Sequence, residues 1–512
     1  MSPVPPPVSP RVLDYGDWSA DDTIAAIRNK SVTAREYISD VLDRARQGKP
    51  LNAFIRLLPD QALSAADEID RAVARGRQLP PLAGLAIVAK DNINQAGIPT
   101  TAGTAALLGN RPPATAPSLR KLIAAGAIVV GRANMHELAL GFTSTNLQPF
   151  AGPVHNPYAE GMIPGGSSGG TAAAIASRVV TCGLGTDTGG SSRVPAALTG
   201  IAGFRPSVGE GGAQRRYHDD GAVVPISHTR DTVGPMGRTV ADIALLDSVI
   251  SGRPRARPAE LRGLRLGVPP VLWSGLDREL ESIALRAGRR LQAAGVVLVR
   301  DDMPDLLRLD ATIGSPIALH EPLADMPAYL RASGARVRGV DIGTIAHGIA
   351  SPDVRAIWAT VLKDAFGPQY EQVMTVRRPA LQRLYADYFS RKRVDAILFP
   401  TTILPATPID YVNGSGNVSV NGGPPVAAFG AYTRNAGPGS DAGIPGLSIP
   451  AGLTAGGLPI GIEIDGPRGS DERLLALGLA IEAVLGRLPP PPRPRKASAA
   501  GVADEHKSIH HL

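Results

Sequence analysis

Apolar and polar residues follow two different periods along this chain, and the two periods alternate. Apolar residues spaced three and four apart predict helices over 21–29, 59–75, 115–125, 239–250, 279–294 and 470–485. Another helix is expected to begin at Thr33, where Glu36 completes a capping box. Short apolar runs predict strands over 85–89, 127–131, 264–268, 296–299, 395–399, 447–449 and 460–464. Strands that alternate with helices in this way indicate an α/β fold.

Proline and glycine mark the segments that interrupt this pattern. Residues 1–10 are proline-rich, and 489–512 hold a proline run followed by basic and small residues, so both ends are expected to be disordered. Residues 304–393 are mainly helical with proline interruptions, which indicates a helical cap that shapes a substrate site. The candidate wall residues of this cap are Leu319, His320, Tyr329 and Trp358. Residues 411–443 are rich in glycine and asparagine and predict a long loop that acts as a lid.

The amino-acid composition argues against several classes of binding partner. The 512 residues include 53 basic and 46 acidic side chains, a net charge of +7, but the arginine-rich pieces lack interleaved aromatic residues, which argues against nucleic-acid binding. The single cysteine, Cys182, excludes intrachain disulfides and thiolate metal clusters, and its apolar neighbours predict a buried thiol. No stretch reaches the ~18 apolar residues that a membrane span needs, so we expect a cytoplasmic protein without a membrane partner.

Two glycine-flanked serine sites, over 165–170 and 189–192, are the strongest chemical signal. They flank a small-residue helix and a short apolar run. Glycine is used where the backbone approaches a ligand closely, so these loops predict backbone N–H groups that point at a reacting oxygen. Ser191 lies in GGSSR, which lacks the last glycine of the GxSxG nucleophile elbow, and the GGSSG run around Ser167 is not interpreted as such an elbow. None of the nine histidines lies in a motif that would activate a serine. A serine and lysine system is the simpler alternative.

Lys90 is the candidate lysine, because it follows the apolar run over 85–89 directly. From this segment alone the favoured interpretation is structural, a lysine that snorkels or forms an ion pair with Asp91. A catalytic base must be neutral when it acts, which requires its pKa to fall by roughly 2 to 3 through desolvation. A zinc site is not indicated, because Leu140 stands where the second histidine of an HExxH motif beginning at His136 would be.

Several runs together resemble the amidase signature family of serine amidohydrolases. They include GGSSGGTAAAIASR, GLGTDTGGSSRVPAALTGIAGFRPS, DTVGPMGRTVADIALLD and IPGLSIPAGLTAGGLPIGIEI. The resemblance extends over about 20–485, and within the family the spacing is closest to bacterial mandelamide and indoleacetamide hydrolases. It implies one large α/β/α domain over 11–488, with a mixed, twisted central sheet flanked by helices and a helical cap insertion. It also implies an amidohydrolase without a metal or organic cofactor.

The resemblance also implies a role for each site residue. Ser191 corresponds to the nucleophile, Ser167 to the bridging serine and Lys90 to the base, with a cis peptide between Gly166 and Ser167. The oxyanion hole is implied to consist of the backbone N–H groups of Thr188, Gly189, Gly190 and Ser191. The proton would pass from Ser191 through Ser167 to neutral Lys90, and water would then hydrolyse the acyl-enzyme.

Neighbouring residues leave some choices open. Ser192 beside Ser191 makes two nucleophiles conceivable, although the register after GTDTGG favours Ser191. Ser168 is expected to cap the following helix or to hydrogen-bond in support of the site, and Asp187 and Arg193 are expected to form a buried pair. The candidate residues for one wall of the substrate pocket are Phe142, Thr143 and Ser144.

The substrate is predicted as a class only. A small or medium aryl or alkyl amide is expected, and the same relay would accept an anilide, ester or carbamate. A glutaminase subunit of a tRNA-dependent amidotransferase is the alternative, and an anion-binding loop over 165–170 is disfavoured because it lacks the GK[ST] ending of a P-loop. The chain is expected to be a monomer or a homodimer.

Overall fold

A mixed β-sheet forms the centre of the molecule. The computed structural model describes residues 15–333, 337 and 339–492, and eleven of the strands in this part of the chain join in one sheet. These strands are β1 (Phe54–Leu57), β2 (Ala86–Lys90), β3 (Ile128–Ala133), β4 (Cys182–Asp187), β5 (Ala202–Arg205), β6 (Thr232–Gly237), β7 (Arg265–Gly267), β8 (Val297–Val299), β9 (Ala396–Pro400), β12 (Gly446–Leu453) and β13 (Pro459–Asp465). The strands β10 (Asn417–Val418) and β11 (Val426–Ala427) form a separate antiparallel ribbon.

The strand order shows why the sheet is mixed. It runs β1-β3-β2-β4-β6-β5-β12-β13-β9-β7-β8. The trios β3-β2-β4 and β9-β7-β8 are parallel, whereas the strands between them pair antiparallel. The predicted α/β class with a mixed sheet is therefore confirmed.

The helices lie on both faces of this sheet and in one long insertion. They are α1 (Ala20–Arg28), α2 (Ala34–Gln47), α3 (Pro59–Ala74), α4 (Pro117–Ala124), α5 (Gly169–Ala176), α6 (Arg193–Thr199), α7 (Val240–Ser251), α8 (Arg278–Ala293), α9 (Leu306–Asp310), α10 (Gly314–His320), α11 (Pro322–Ala332), α12 (Ile342–Gly348), α13 (Pro352–Leu362), α14 (Gly367–Gln372), α15 (Arg378–Lys392), α16 (Ala428–Thr433), α17 (Gly437–Ala442) and α18 (Asp471–Leu485). None of the helices in the described residues has the length and apolar character needed to cross a bilayer.

Side-chain alternation along β2 decides where its last residue points. Ala86 and Val88 pack on one face with residues of α2, α3 and α5, whereas Ile87 and Ala89 pack on the other face with residues of α4 and α7. Because successive side chains of a strand point to opposite faces, Lys90 falls on the face that carries α5. The strand therefore brings its terminal lysine toward the glycine-rich segment that precedes α5.

Local sequence signals at helix ends agree with the structure. Thr33 and Glu36 form the expected capping box at α2, and Asp277 accepts hydrogen bonds from the first turn of α8. The predicted disordered arm over 1–10 and residues 493–512 of the predicted tail lie outside the described residues.

Three expectations from the sequence need correction or addition. The long loop predicted over 411–443 contains the β10-β11 ribbon and helices α16 and α17. Strands β5 and β6 were not predicted from the hydrophobic pattern, because their sequences, AGFR and TVGPMG, contain glycine and proline, which are poor strand formers. Helix α6 was also missed, since it has a proline in its first turn and only seven residues.

Candidate active site

Lys90 makes two hydrogen bonds at the end of β2. Its Nζ atom donates to Ser167 Oγ and to Thr186 Oγ1, each at 2.7 Å. The lysine is fully buried. The ion pair with Asp91 that the sequence left open does not form, because neighbouring residues of an extended chain point apart and Asp91 lies 3.3 Å from Arg132 Nε instead. The amine is therefore free of a direct carboxylate partner among the described residues.

Burial changes the protonation of this amine. Desolvation lowers the pKa of Lys90 from 10.5 to about 7, while the negative charges of Asp187 and Asp231 act in the opposite direction. A lysine with this pKa is half neutral near pH 7, whereas an exposed lysine would be almost fully protonated. The site can therefore hold a neutral amine in contact with a serine hydroxyl.

Ser167 lies immediately before α5, and its backbone is held from several sides. The Gly166–Ser167 peptide is cis. The Ser167 carbonyl accepts a hydrogen bond from the His136 N–H at 3.1 Å. Ser168 links the two glycine-rich loops, because its N–H donates to the Ser191 carbonyl at 3.1 Å and its hydroxyl bonds to the backbone of Thr186. Ser168 thus makes the supporting hydrogen bonds that were one of its two expected roles.

Ser191 and Ser192 differ in their surroundings. Ser191 lines a cavity of about 360 Å³. Ser192 is fully buried, and its hydroxyl has no hydrogen-bond partner among the described residues and packs against Gly234 of β6. Only the first of the two serines therefore borders a space that a substrate could enter. The hydrogen bonds of the described residues join Lys90 to Ser167 but do not include the Ser191 hydroxyl.

The loop between β4 and α6 presents several backbone donors. Asp187 accepts hydrogen bonds from the N–H of Gly190 at 2.8 Å and from the N–H of Ser192 at 3.1 Å. The Gly190 donor is therefore already engaged within the loop. The N–H groups of Thr188, Gly189 and Ser191 make no hydrogen bond to other described residues, and all three of these residues line the cavity.

Asp187 anchors this loop in a buried network of charges. Arg193 donates to both carboxylate oxygens at 3.1 Å, and Arg205 lies 3.2 Å from Oδ1. Burial alone would raise the pKa of Asp187, but the two arginines outweigh it and hold that pKa well below its usual value. Arg193 also contacts Glu463 of β13. The expected Asp187 and Arg193 pair is thus part of a larger network that connects the loop to the sheet.

Thr188 is positioned by a second carboxylate. Its hydroxyl donates to Asp231 Oδ1 at 2.6 Å, and Asp231 Oδ2 accepts the N–H groups of Ile226 and Ser227 at 2.8 and 2.9 Å. Burial raises the pKa of Asp231, which these hydrogen bonds partly oppose. Asp231 therefore fixes the side chain that borders the cavity directly before Gly189.

The cavity beside Ser191 has a mainly apolar wall. Phe142 and Phe429 meet edge to face with ring centroids 5.0 Å apart, and both line the cavity. Thr143 and Ser144, which were also candidates for this wall, instead face the ring of His136. Substrates with an aromatic group fit a wall of this kind, because aromatic rings favour edge-to-face contacts.

The helical insertion contributes to this cavity through its first two helices. Its lining residues are Leu307, Asp310, Ala311, Gly314, Ser315 and Ala318. The four wall residues predicted from the cap were Leu319, His320, Tyr329 and Trp358, and none of them lines the cavity. Tyr329 borders a separate cavity of about 190 Å³, and Trp358 is buried within the insertion. Sequence patterns show which segment is helical but not which of its residues face the site.

Two groups of side chains bear on metal binding. The ring of His136 contacts protein groups on both sides, since Nδ1 accepts the Ser144 N–H at 3.1 Å and Nε2 lies 3.1 Å from Asp353 Oδ2. His228, Glu321 and Asp325 place ligand atoms within 4.8 Å of one another. Glu321 already accepts hydrogen bonds from protein hydroxyl groups, including that of Tyr370 at 2.6 Å, so this group has no unused carboxylate at its centre.

Known proteins are similar to this chain over most of its length. A family model described as Amidase matches residues 36–475. The chain is 39% identical over 487 residues to mandelamide hydrolase of Pseudomonas putida, covering 92% of each protein. It is 40% identical over 471 residues to indoleacetamide hydrolase of Agrobacterium vitis, covering 91% of this chain and 97% of that protein.

Solved structures of amidases are also similar to this chain. Peptide amidase of Stenotrophomonas maltophilia superposes with a TM-score of 0.77 at 28% identity, covering 93% of this chain and 99% of that one. A crystal structure of an amidase gives a TM-score of 0.78 at 30% identity, covering 92% and 100%. Together with the fold, these matches define an enzyme that hydrolyses C–N bonds, an amidohydrolase. The chain belongs to the amidase signature family.

Proposed function

We propose that this amidohydrolase cleaves small aromatic amides through an acyl-enzyme on Ser191. The observation that carries the proposal is the 2.7 Å hydrogen bond between Ser167 Oγ and the buried amine of Lys90, whose pKa burial lowers to about 7. A neutral amine at this distance can accept a proton from a serine hydroxyl. The relay thus begins with a base of which about half is neutral near pH 7.

The reaction proceeds by two acyl transfers. As Ser191 Oγ attacks the amide carbonyl carbon, its proton passes to Ser167 Oγ while the Ser167 proton passes to Lys90 Nζ. The tetrahedral intermediate collapses when the C–N bond breaks and the same relay returns the proton to the leaving nitrogen. Water then attacks the ester of Ser191, delivers its proton to the relay, and releases the carboxylic acid and the free Ser191 hydroxyl.

The loop before α6 supplies the oxyanion donors. We assign this role to the N–H groups of Thr188, Gly189 and Ser191, which line the cavity and donate to no other described residue. Gly190 was expected among these donors, but its N–H bonds to Asp187 and serves to shape the loop. Each donor to the developing oxyanion lowers the barrier by roughly 3 to 4 kcal/mol.

The substrate class follows from the cavity and from the relatives. A volume of about 360 Å³ with an edge-to-face pair of phenylalanines suits an amide with one aromatic ring or a fused pair. The relatives are named for hydrolysis of mandelamide and of indoleacetamide, which both have this form. Anilides, esters and carbamates present the same carbonyl to Ser191, and a carbamate would release carbon dioxide after acyl transfer. We propose that primary aromatic amides are preferred.

The isolated chain is expected to hydrolyse a primary aromatic amide without a partner protein. Ammonia release from phenylacetamide should exceed release from glutamine by at least about 100-fold in kcat/KM, because the cavity wall is apolar. Coupled ammonia detection with both substrates measures this ratio. A preference for glutamine, or activity that depends on an added partner, would support the glutaminase alternative.

The pH dependence of kcat/KM is expected to report the protonation of Lys90. Activity should rise with pH through an apparent pKa near 7, because the protonated amine cannot accept a proton and the neutral amine can. In Asp231→Asn the rising part of the pH profile should move to lower pH by roughly 0.5 to 1 pH units, since the negative charge of Asp231 raises the pKa of Lys90.

Asparagine suits this position because the Thr188 hydroxyl can accept a hydrogen bond as well as donate one. Asp220→Asn serves as the matched control, because the Asp220 side chain is 66% exposed and lines the other cavity. Its pH profile should coincide with that of the wild type. An unmoved pH profile in Asp231→Asn would contradict the assigned base.

A further inference from the structure

The wall of the substrate cavity includes a polar row formed by Arg230, Asp310 and Asp441. All three residues line the cavity that Ser191 borders. They come from three separate parts of the chain, namely the loop before β6, the end of α9, and α17. The catalytic relay proposed above uses none of them.

Contacts place these groups in a row that starts beside the oxyanion loop. Arg230 Nη2 would lie 3.2 Å from a Cβ atom added to Gly189, so the guanidinium packs directly against the loop. The same Nη2 atom lies 2.7 Å from Asp441 Oδ1, and Nη1 donates to the Gly314 carbonyl at 2.7 Å. Asp310 follows Asp441 in the row, and its Oδ1 is shielded from solvent without a hydrogen-bond partner among the described residues.

The row joins one guanidinium to two neighbouring carboxyl groups. Burial raises the pKa of Asp310 well above its usual value, and the neighbouring Asp441 raises it further. Arg230 contacts Asp441 directly. The other charged wall residue, Arg434, donates to the Val271 carbonyl and to Ser274. The row thus places two carboxyl groups and one guanidinium together in the wall of the cavity.

We propose that Asp310 and Asp441, oriented by Arg230, bind a hydrogen-bond donor on the acyl part of the substrate and so select aromatic amides that carry a hydroxyl or N–H group. Asp310 is partly exposed and lines the cavity, so its carboxyl group supplies an acceptor in a mainly apolar wall, and the buried Asp441 supports it from behind. A substrate without such a donor would leave these acceptors unpaired when it displaces water, which costs affinity in the transition state. This inference rests on the proposed function, since it concerns the same cavity.

Two pairs of substrates that differ by one donor provide the test. The first pair is indole-3-acetamide and 1-methylindole-3-acetamide, and the second is 4-hydroxyphenylacetamide and phenylacetamide. We expect kcat/KM of the wild type to favour the donor-bearing member by about tenfold or more in at least one pair, because the other member leaves a buried acceptor without a hydrogen bond. Ratios near one in both pairs would overturn the proposal.

The variant Asp310→Leu tests whether the row causes this preference. Leucine resembles aspartate in shape but has no acceptor, so the ratio of the two kcat/KM values should fall to within about twofold of one, whatever the change in phenylacetamide hydrolysis itself. Asp387→Leu on the exposed side of α15 is the matched control and should keep the wild-type ratio. A preference that survives in Asp310→Leu would overturn the proposal.

Folding and the proposed function are checked separately. Should the leucine variant fail to fold by circular dichroism, Asp310→Ala takes its place with the same expected loss of preference. Phenylacetamide hydrolysis in Ser191→Ala tests the nucleophile independently of the donor. Activity that persists in Ser191→Ala contradicts the proposed function, whereas an inactive Ser191→Ala combined with an unchanged ratio in Asp310→Leu contradicts only the present inference.

Discussion

Ser191→Ala is expected to lose amide hydrolysis almost completely, with kcat lower by at least about 10⁴-fold, whereas Ser192→Ala should stay within about threefold of the wild type. Removal of a nucleophile eliminates the covalent route, and only binding and the oxyanion donors continue to act. The Ser192 hydroxyl packs against Gly234 and lines no part of the cavity, so its removal changes neither substrate contacts nor the relay.

Ammonia release under single-turnover and steady-state conditions measures both variants. A second readout is a stable acyl adduct, which mass spectrometry should detect on the peptide with Ser191 when a slowly hydrolysed aryl carbamate is added. Circular dichroism spectra of the two variants should match the wild type. The assignment would be reversed by an inactive Ser192→Ala together with an active Ser191→Ala.

Lys90→Met is expected to reduce kcat by about 10³-fold, because general-base catalysis contributes about 10²- to 10⁴-fold. Methionine fills the buried space with a side chain of similar length but cannot accept the proton from Ser167. The same change should leave the melting temperature equal to or above that of the wild type. At pH 7 the unfolded chain holds a proton on Lys90 that the folded chain partly loses, and each unit of lowered pKa costs about 1.4 kcal/mol of stability.

The sign of this stability effect follows from the lowered pKa. Between pH 7 and pH 10.5 the unfolded state binds more protons at Lys90 than the folded state, so the contribution of Lys90 to stability rises with pH across that range. The advantage of Lys90→Met in melting temperature should therefore shrink as pH increases. Lys49→Met, at an exposed lysine, is the control and should change neither activity nor this dependence. Full activity in Lys90→Met would refute the assigned base.

Sequence patterns predicted much of the scaffold because they reflect local physics. Strand β2 and helices α2 and α8 agree with their predicted positions, since apolar spacing and capping residues act within a few positions of the chain. Strands β5 and β6 were missed, because glycine and proline give them no local preference. Their position comes from antiparallel pairing with each other, and β6 also pairs with β4.

For the candidate site, too, some features could be predicted from local sequence and others depend on tertiary contacts. The glycine-flanked serines and the lysine after a buried run were visible as motifs, and their catalytic roles stay predictions for the experiments above. Asp310 gave no signal, because an acidic residue at the end of a short helix is ordinary in any sequence. Its significance arises only because α9 and α17 pack together beside Ser191.

The chain by itself determined its α/β class and the helical character of its insertion, and it indicated the candidate catalytic residues, since these depend on local spacing and side-chain type. Only the tertiary structure decided that Lys90 meets Ser167 and not Asp91, that Ser191 and not Ser192 borders the cavity, and that Asp310 and Asp441 line the same cavity. Each of these outcomes depends on which face of an element is buried and on contacts between distant segments. No local pattern encodes them, because they are set when the sheet and its helices pack together.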